Sequence, residues 1–453
     1  MVCQETDLKD GQMREVTVGE QTVLLVCTQG QYSAVGSHCS HYNAPLIKGA
    51  LVGYRVRCPF HGACFNVRTG DIEDYPGLDS LPTYKVKHVC KSLKLTKRVK
   101  EMCRMVPDIK HTILLIGGGP ASQVCAETLR QNCYQGRIIM VTKDTLPPFD
   151  KPKLSKAMNL DSSSILLRPS DFYQQYGIEV WTQKEVVSVN PADKSVKLSN
   201  GTLQQYDQLL ISTGCRARPL NCPGWDLKGV KLLQSYEDML EEQNVKFYMN
   251  DRATEIKGEN GKSLSHSDFF CAVLQKSITK ISVFSGVIPN SDFLAGSELE
   301  VDPMKAVIVD KFMRTNIPDI FSAGDVTAFP LTIRGDQRVN IGHWQMSQAQ
   351  GRVAALNMLK KPTKIESVPF FWTVLLGKSI RYTGYGEGYT EIIFKGKVEE
   401  RKFLAFYIKD EVVVAAASLM FDPAVAHVAE LMTTGQILTK AQAQADDLSW
   451  LQM

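Results

Sequence analysis

Two short strings constrain this chain more than anything else in it. Cys39-Ser40-His41 is followed, after sixteen further residues, by Cys58-Pro59-Phe60-His61. Each string offers one thiolate and one imidazole, one residue apart in the first and two apart in the second. Loops of this kind can each reach two metal ions. That suits a 2Fe–2S centre with two Cys on one iron and two His on the other. A tetrahedral Cys2His2 zinc site takes the same donors and stands as the alternative, although zinc sites usually draw their Cys pair from one loop and their His pair from another. The residues around the strings, 1–98, read as short strands and turns. Thr22 to Val26, a turn at Gln29-Gly30, and Tyr32 to Val35 form a hairpin pattern. Lys91 to Arg104, rich in Lys and Arg, reads as a solvated linker.

At residue 113 the pattern changes. Ile113 to Ile116 suits a buried parallel strand, Gly117-Gly118-Gly119-Pro120 a tight turn, and the residues from Ala121 a helix. Arg137 to Thr142 reads as the next strand, which completes a βαβ unit. Gly117 and Gly119 let the backbone turn sharply. Pro120 and Ala121 then open a helix whose N–H groups can hold a pyrophosphate. Ser122 stands where a third glycine is expected, which predicts looser packing of helix on strand. Asp144, 27 residues after Gly117, is the candidate for the ribose hydroxyls of a dinucleotide. Thr213-Gly214 follows a strand at 208–211, and another strand ends in Gly324-Asp325. The last ~85 residues read as strands, Phe403 to Ile408 and Val412 to Ala417, then a helix after Asp422-Pro423.

Size and charge bound the function. The chain has 453 residues, enough for two to four domains. A net charge of +4 points to neither nucleic acid nor an anionic membrane as main partner. Ten apolar residues from Val412 to Phe421 are too few to span a bilayer. Twelve scattered Cys suit a reducing compartment. The first residues, with Glu5, Asp7 and Asp10, read as neither a signal peptide nor an Arg-rich presequence.

The stretch around the two metal strings resembles a Rieske ferredoxin domain, with Asp74-Tyr75-Pro76-Gly77 in place of the loop that covers the cluster. The resemblance implies Cys39, His41, Cys58 and His61 as ligands. High-potential members of that family link the two loops by a disulfide and place hydroxyls on the cluster sulfurs. The matching positions here are Ala44 and Phe60, then Ala63 and Phe65. Fewer bonds to sulfur stabilise the reduced cluster less, so a potential near the bottom of the Rieske range, roughly −150 mV, is expected. Cys64 has no role in this reading.

Gly117-x-Gly119, Thr213-Gly214 and Gly324-Asp325 together resemble the flavoproteins with two dinucleotide domains. This implies FAD, with Asp325 on the ribityl chain. Phe149-Asp150-Lys151-Pro152-Lys153-Leu154-Ser155-Lys156 resembles the flavin-facing segment of the apoptosis-inducing-factor and ferredoxin-reductase branch. It implies Lys151 and Lys156 in cofactor binding, and Lys156 beside the isoalloxazine as the catalytic candidate. His343 and Trp344 open a helix whose positive end would face the flavin; without the resemblance the pair reads as a packed helix start. Trp372 resembles an aromatic residue near the flavin. Residues 134–214 hold no Cys, which argues against disulfide chemistry. Apart from His41 and His61 the histidines are isolated in sequence, which argues against the mononuclear iron of a Rieske oxygenase.

From about Gly11 onward the chain resembles the apoptosis-inducing-factor-like oxidoreductases that carry an N-terminal Rieske domain. That family implies a multidomain fold: an all-β Rieske domain (1–100), an α/β Rossmann-like FAD domain in two parts (111–232 and 305–365), a truncated NAD-type domain (233–304), and a C-terminal α+β dimerisation-type domain (366–453). It also implies hydride transfer from NAD(P)H to FAD, then single electrons to the cluster, a small-molecule or protein electron acceptor, self-association as a homodimer, and a mitochondrial or otherwise cytoplasmic location. One part is missing. Residues 215–324 contain no second glycine fingerprint for the nicotinamide cofactor, and Gly384-x-Gly386-x-Gly388 lies outside any strand–helix turn. The NAD(P)H site is therefore expected to be lost. A regulatory, pro-apoptotic partner-binding protein that keeps its cofactors as structural elements is the competing expectation.

Overall fold

The computed structural model describes residues 8–85, 97–154, 161–218, 286–375 and 377–452, together with short strands at 230–231, 258–259, 262–263 and 281–282. Lys156 and most of the expected NAD-type remnant lie outside the described residues.

The N-terminal domain is built from two small sheets. Gln12–Val18, Gln21–Thr28, Gln31–Gly36 and Thr83–Tyr84 form one antiparallel sheet in that order. The expected hairpin is present, with Gln29 and Gly30 both at positive φ in its turn. Ala50–Val52, Arg55–Arg57, Cys64–Asn66 and Ile72–Asp74 form a second antiparallel sheet. Leu24, Val26, Val35, Leu46, Val56, Phe65 and Leu81 fill the core between them. The segment expected to be a solvated linker is tied down where it is described. Arg98 bridges to Ser80, pairs with Asp71 and donates to the Leu81 carbonyl. The correction has a simple cause: turn residues 69–71 present a carboxylate and a carbonyl that one guanidinium can satisfy.

The central sheet is parallel, in the order Ile178–Trp181, Arg137–Val141, Thr112–Ile116, Gln208–Ile211, Ile320–Ser322. Thr112–Ile116 is wholly buried, as its unbroken apolar run predicts. The chain steps from this strand to a neighbour on one side and later to a neighbour on the other. That makes its C-terminal end the switch point where such sheets open a crevice. The helix Pro120–Gln131 leaves from there and packs on the helix Trp344–Met358. The two approach so closely that a Cβ on Gly351 would collide with the Ala121 carbonyl.

Phe370–Leu375, Lys378–Gly384, Val412–Leu419, Lys402–Lys409 and Glu391–Lys397 form a five-stranded antiparallel sheet in that order. The helix Ala424–Thr433 covers it, with Val425, Val428, Ala429 and Leu431 turned into its core. Among the described residues no helix is long and apolar enough to cross a membrane.

Candidate iron–sulfur and flavin sites

The two metal strings fold into matching loops. In the first, Cys39 N donates to Ala44 O at 2.8 Å and Asn43 N to Cys39 O at 2.9 Å. In the second, Cys58 N donates to Ala63 O at 2.8 Å and Gly62 N to Cys58 O at 3.1 Å. Each loop therefore turns over its cysteine, and each needs a left-handed residue four positions on: Asn43 at φ 55° and Gly62 at φ 81°. At Gly62 a side chain would also strike the ring of Phe370.

These turns bring the four donors together as two pairs. Cys39 and Cys58 are buried and share a sulfur–sulfur hydrogen bond. The bond from Cys39 pulls the Cys58 pKa below its ordinary value; burial opposes this, and the backbone N–H groups of Phe60 and His61 and the charge of Arg381 add to the lowering. The rings of His41 and His61 lie 5.0 Å apart. Burial first, then the neighbouring His61 charge, pushes His41 down to about 3. Burial first, then Arg381, pushes His61 down to about 4. Both imidazoles are thus neutral, and the Nδ1 atom of each is buried with no hydrogen-bond partner. An unpaired buried ring nitrogen is costly unless something binds it. Among the described residues no three His, Cys, Asp or Glu side chains converge on one ion position. Each loop offers one sulfur and one nitrogen, the donor set that a 2Fe–2S centre takes with two Cys on one iron and two His on the other.

A cavity of about 1080 Å³ opens at the C-terminal ends of the parallel strands. Gly117, Gly119, Pro120, Ala121, Asp144, Lys151, Thr213, Gly214, Gly324, Asp325 and Trp344, all expected from the sequence, line it. His343 does not line it. Its backbone N–H instead reaches the Asp325 carboxylate, and its ring turns towards Trp372, 4.9 Å away. Lys156, the catalytic candidate, lies outside the described residues.

Gly117 shows why the turn needs glycine. It sits at φ 118°, and a Cβ there would run into the Ser212 carbonyl. The helix it feeds begins at Pro120 with no side chain capping it, so its first N–H groups are left to face the cavity. Asp325 is buried at the far side. Burial raises its pKa, while Ser347 Oγ at 2.8 Å and the charge of Lys151 counter this. Asp144 pairs with Lys151 at 3.7 Å on the rim. This arrangement offers N–H donors for phosphates at one end and a carboxylate for hydroxyls at the other, which fits a flavin dinucleotide.

Ser122 does not loosen the packing. Its hydroxyl, fully buried, bonds the Ser212 hydroxyl at 2.6 Å and ties the helix start to the neighbouring strand end. Sequence reasoning also missed Arg216, Asn290, Asp292 and Phe293 in the cavity wall. They sit on the chain leaving Thr213-Gly214 and the chain returning to it, where Cys215–Ala217 pairs with Val287–Pro289. No glycine or charge pattern announces them. Cys215 lines the cavity too, with no second Cys in the lining.

The two sites belong to one packed unit. Tyr42 donates to Asp150 at 2.7 Å, and Arg168 pairs with Asp79 at 2.8 Å and with Glu127 at 2.9 Å. Gln345 Nε2 donates to Asp74 at 3.1 Å and Gln348 Nε2 to the Gly77 carbonyl at 3.1 Å, so the 344–358 helix grips the 74–77 loop. Arg381 donates to the Pro59 carbonyl at 3.0 Å. Arg57, fully buried, pairs with Glu430 and Asp74, and Cys64 bonds the same Glu430. That gives Cys64 a role the sequence did not suggest.

Comparison with known proteins agrees with this architecture. Residues 1–85 match the Rieske [2Fe-2S] domain family, 111–239 and 229–351 the pyridine nucleotide-disulphide oxidoreductase family, and 370–451 the reductase C-terminal family. The chain is 37% identical to apoptosis-inducing factor 3 of Homo sapiens over 531 residues, covering 99% of this chain and 87% of that one; the Mus musculus protein gives the same figures. It is 27% identical over 358 residues to the ferredoxin–NAD(+) reductase subunit of the benzene 1,2-dioxygenase system of Pseudomonas putida, covering 66% of this chain and 86% of that one. Its fold is similar to the ferredoxin reductase for the CYP199A2 system from Rhodopseudomonas palustris (TM-score 0.68, 22% identity, 76% of this chain and 100% of that one). It is also similar to putidaredoxin reductase in its covalent complex with putidaredoxin (TM-score 0.67, 20% identity, 75% of this chain and 97% of that one). The chain belongs to the apoptosis-inducing factor 3 family, oxidoreductases that join a Rieske domain to a flavin reductase body.

Proposed function

We propose that this chain passes electrons between an FAD in the 117–325 cavity and a 2Fe–2S cluster on Cys39, His41, Cys58 and His61, and that it has lost direct entry of hydride from NAD(P)H. The observation that carries the first part is the pair of buried imidazoles, their Nδ1 atoms without a hydrogen-bond partner, on the same two loops as a pair of buried thiols. A buried ring nitrogen without a partner is costly, and a cluster held on these residues would satisfy both. FAD supplies the step between two-electron and one-electron chemistry, and the cluster accepts single electrons.

The protein's own part is to bind, orient and exclude water. The helix start at Pro120 holds phosphate charge, and Asp325, fixed by Ser347, holds hydroxyls. The hydrogen bond from Cys39, with the backbone N–H groups of Phe60 and His61, holds the Cys58 pKa down against burial, which suits it to iron. Lys156 remains the candidate beside the isoalloxazine. The 344–358 helix and Arg381 hold the cluster loops against the flavin body.

The second part rests on absence of sequence. A nicotinamide cradle needs a glycine turn feeding a helix, and 215–324 contains none. The alignment with apoptosis-inducing factor 3 runs over 531 positions, 78 more than the 453 residues here, so the relative carries at least that many residues with no counterpart. A βαβ unit takes about 30 residues or more, so such a shortfall can remove one whole. The test of loading is direct. Purified protein should release one FAD, contain two irons, and give a Rieske EPR signal on dithionite reduction. Protein with zinc in place of iron would overturn the reading.

A further inference from the structure

We propose that Cys103 and Cys133 form a redox-responsive pair, closed by a small disulfide oxidant, that staples the segment entering the flavin domain to the end of that domain's first helix. Neither residue lines the flavin cavity. Backbone geometry brings them together. The helix Pro120–Gln131 ends at Asn132, and Cys133 follows in the left-handed region at φ 63°. Glycine or asparagine is usual there, because a Cβ is crowded in that conformation. At this helix end the Arg130 carbonyl accepts two N–H groups, from Cys133 at 3.3 Å and from Cys103 at 3.0 Å. Cys103 Sγ donates to the Tyr134 carbonyl at 3.2 Å, and Val106 N donates to the Gln135 carbonyl at 2.8 Å. Residues 103–106 therefore run alongside 130–135, and Cys103 is held by residues on either side of Cys133. A Cβ on Gly177 would strike the Met105 side chain, so this segment is packed in place. Its other end is tied to the first domain, where Arg98 pairs with Asp71 and bridges to Ser80.

The pair is asymmetric. Cys133 is exposed and Cys103 half-buried, whereas Cys27, Cys64 and Cys125 are buried. Burial pushes the Cys103 pKa up; the charge of Arg130 opposes this and a charge on Cys133 adds to it. A thiol held protonated is the slower nucleophile, so the exposed Cys133 attacks first. Its thiolate displaces one half of the small disulfide as a thiol and leaves a mixed disulfide on Cys133. Cys103 then gives its proton to solvent and attacks the Cys133 sulfur, which releases the second half. Two protein thiols are oxidised to one disulfide, and the oxidant is reduced to two thiols. The crosslink closes a loop of about 30 residues and so restricts the unfolded chain. In a reducing compartment the pair rests open, and a rise in small disulfides closes it.

The test uses full-length protein as purified, kept reduced and then exposed under native conditions to glutathione disulfide. Remaining thiols are capped, and the protein is digested with trypsin without reduction. Cleavage after Lys100, Arg104, Arg130 and Arg137 places each cysteine in its own short peptide, residues 101–104 and 131–137. Mass spectrometry should find these two peptides joined. The Tm should rise on oxidation and return when dithiothreitol is added. Cys133→Ser should lose both the joined peptide and the rise in Tm. Cys103→Ser should stop at glutathione on Cys133, without the rise. Wild type that keeps glutathione on Cys133 with no joined peptide would overturn the proposal. So would a joined peptide with no rise in Tm, or a rise in Tm that survives in both variants.

Discussion

Arg57 and Glu430 form an ion pair in which neither side chain is exposed at all, although 373 residues separate them in sequence. Arg57 immediately precedes the ligand candidate Cys58, and Glu430 lies on the helix that covers the C-terminal sheet. The guanidinium also reaches Asp74 at 3.2 Å and the Gly62 carbonyl at 2.8 Å. Arg55 adds a second contact to Glu430 at 3.0 Å. The cluster loop is therefore anchored to the far end of the chain through one buried carboxylate.

Removing that carboxylate leaves two arginines short of a partner in a buried setting. Glu430→Gln should destabilise the protein by about 3 kcal/mol, the lower end for breaking a buried pair, because Asp74 remains beside Arg57. Thermal or urea unfolding of wild type and variant checks this. A variant as stable as wild type would mean the pair contributes nothing net.

The same carboxylate sets a pH dependence. Burial works against its charge, but Arg57 and Arg55, with the hydrogen bonds from Arg57 and Cys64, win and hold its pKa below the ordinary 4.5. His427, also facing it, is itself lowered by burial. A depressed folded pKa means the stabilisation is fully present above the unfolded value and is lost as pH falls through the folded one. The gap in Tm between wild type and Glu430→Gln should therefore be wide at pH 7 and narrow progressively below about pH 4.5. A gap that widens on acidification would contradict the sign.

How much of this was legible in sequence depends on distance along the chain. Cys39 and His41, Cys58 and His61, Gly117 and Gly119, and Gly324 and Asp325 are each local strings whose chemistry needs that spacing; the structure brings the two histidine rings within 5.0 Å and puts the two glycine strings in one cavity wall. Ser122 misled, because a glycine fingerprint cannot show that a hydroxyl at 2.6 Å will bridge to Ser212, ninety residues on. Glu430, Cys64 and Arg381 gave no signal, since a lone charge or thiol acquires meaning only through a partner brought up by the fold. The lysine-rich 91–104 run was legible as polar but not as tethered, because the tether is the Asp71 turn.

Gly117→Ala tests the cradle. The residue sits at φ 118° with no room for a Cβ beside the Ser212 carbonyl, so the backbone must move at a cost of about 1–3 kcal/mol. The variant should keep its cluster and lose most of its flavin, measured as FAD released per chain. Full flavin occupancy would contradict the placement of the dinucleotide.

Asp325→Asn tests the other end of the cavity. A hydrogen bond to a charged group contributes about 1.5–3 kcal/mol, so FAD affinity should fall about tenfold or more. Flavin fluorescence titration of the apoprotein reads it. Equal affinity would remove Asp325 from the site.

The cluster potential follows from Ala63 and Phe65, both fully buried and both lacking a hydroxyl. Spectroelectrochemistry should place wild type near −150 mV, roughly the low end of the Rieske range, and Ala63→Ser should raise it. A wild-type value above about +100 mV would contradict the reading.

The central claim is that both cofactors load and communicate while hydride entry from nicotinamide is lost. It is met most directly by one anaerobic experiment: visible absorbance and EPR of the purified protein, recorded after excess NADH and again after dithionite. The account predicts that NADH leaves the flavin band and the cluster silent, and that dithionite bleaches the first and brings up the EPR signal of the second. Prompt reduction of both centres by NADH would contradict it and would mean that a nicotinamide site exists in this chain.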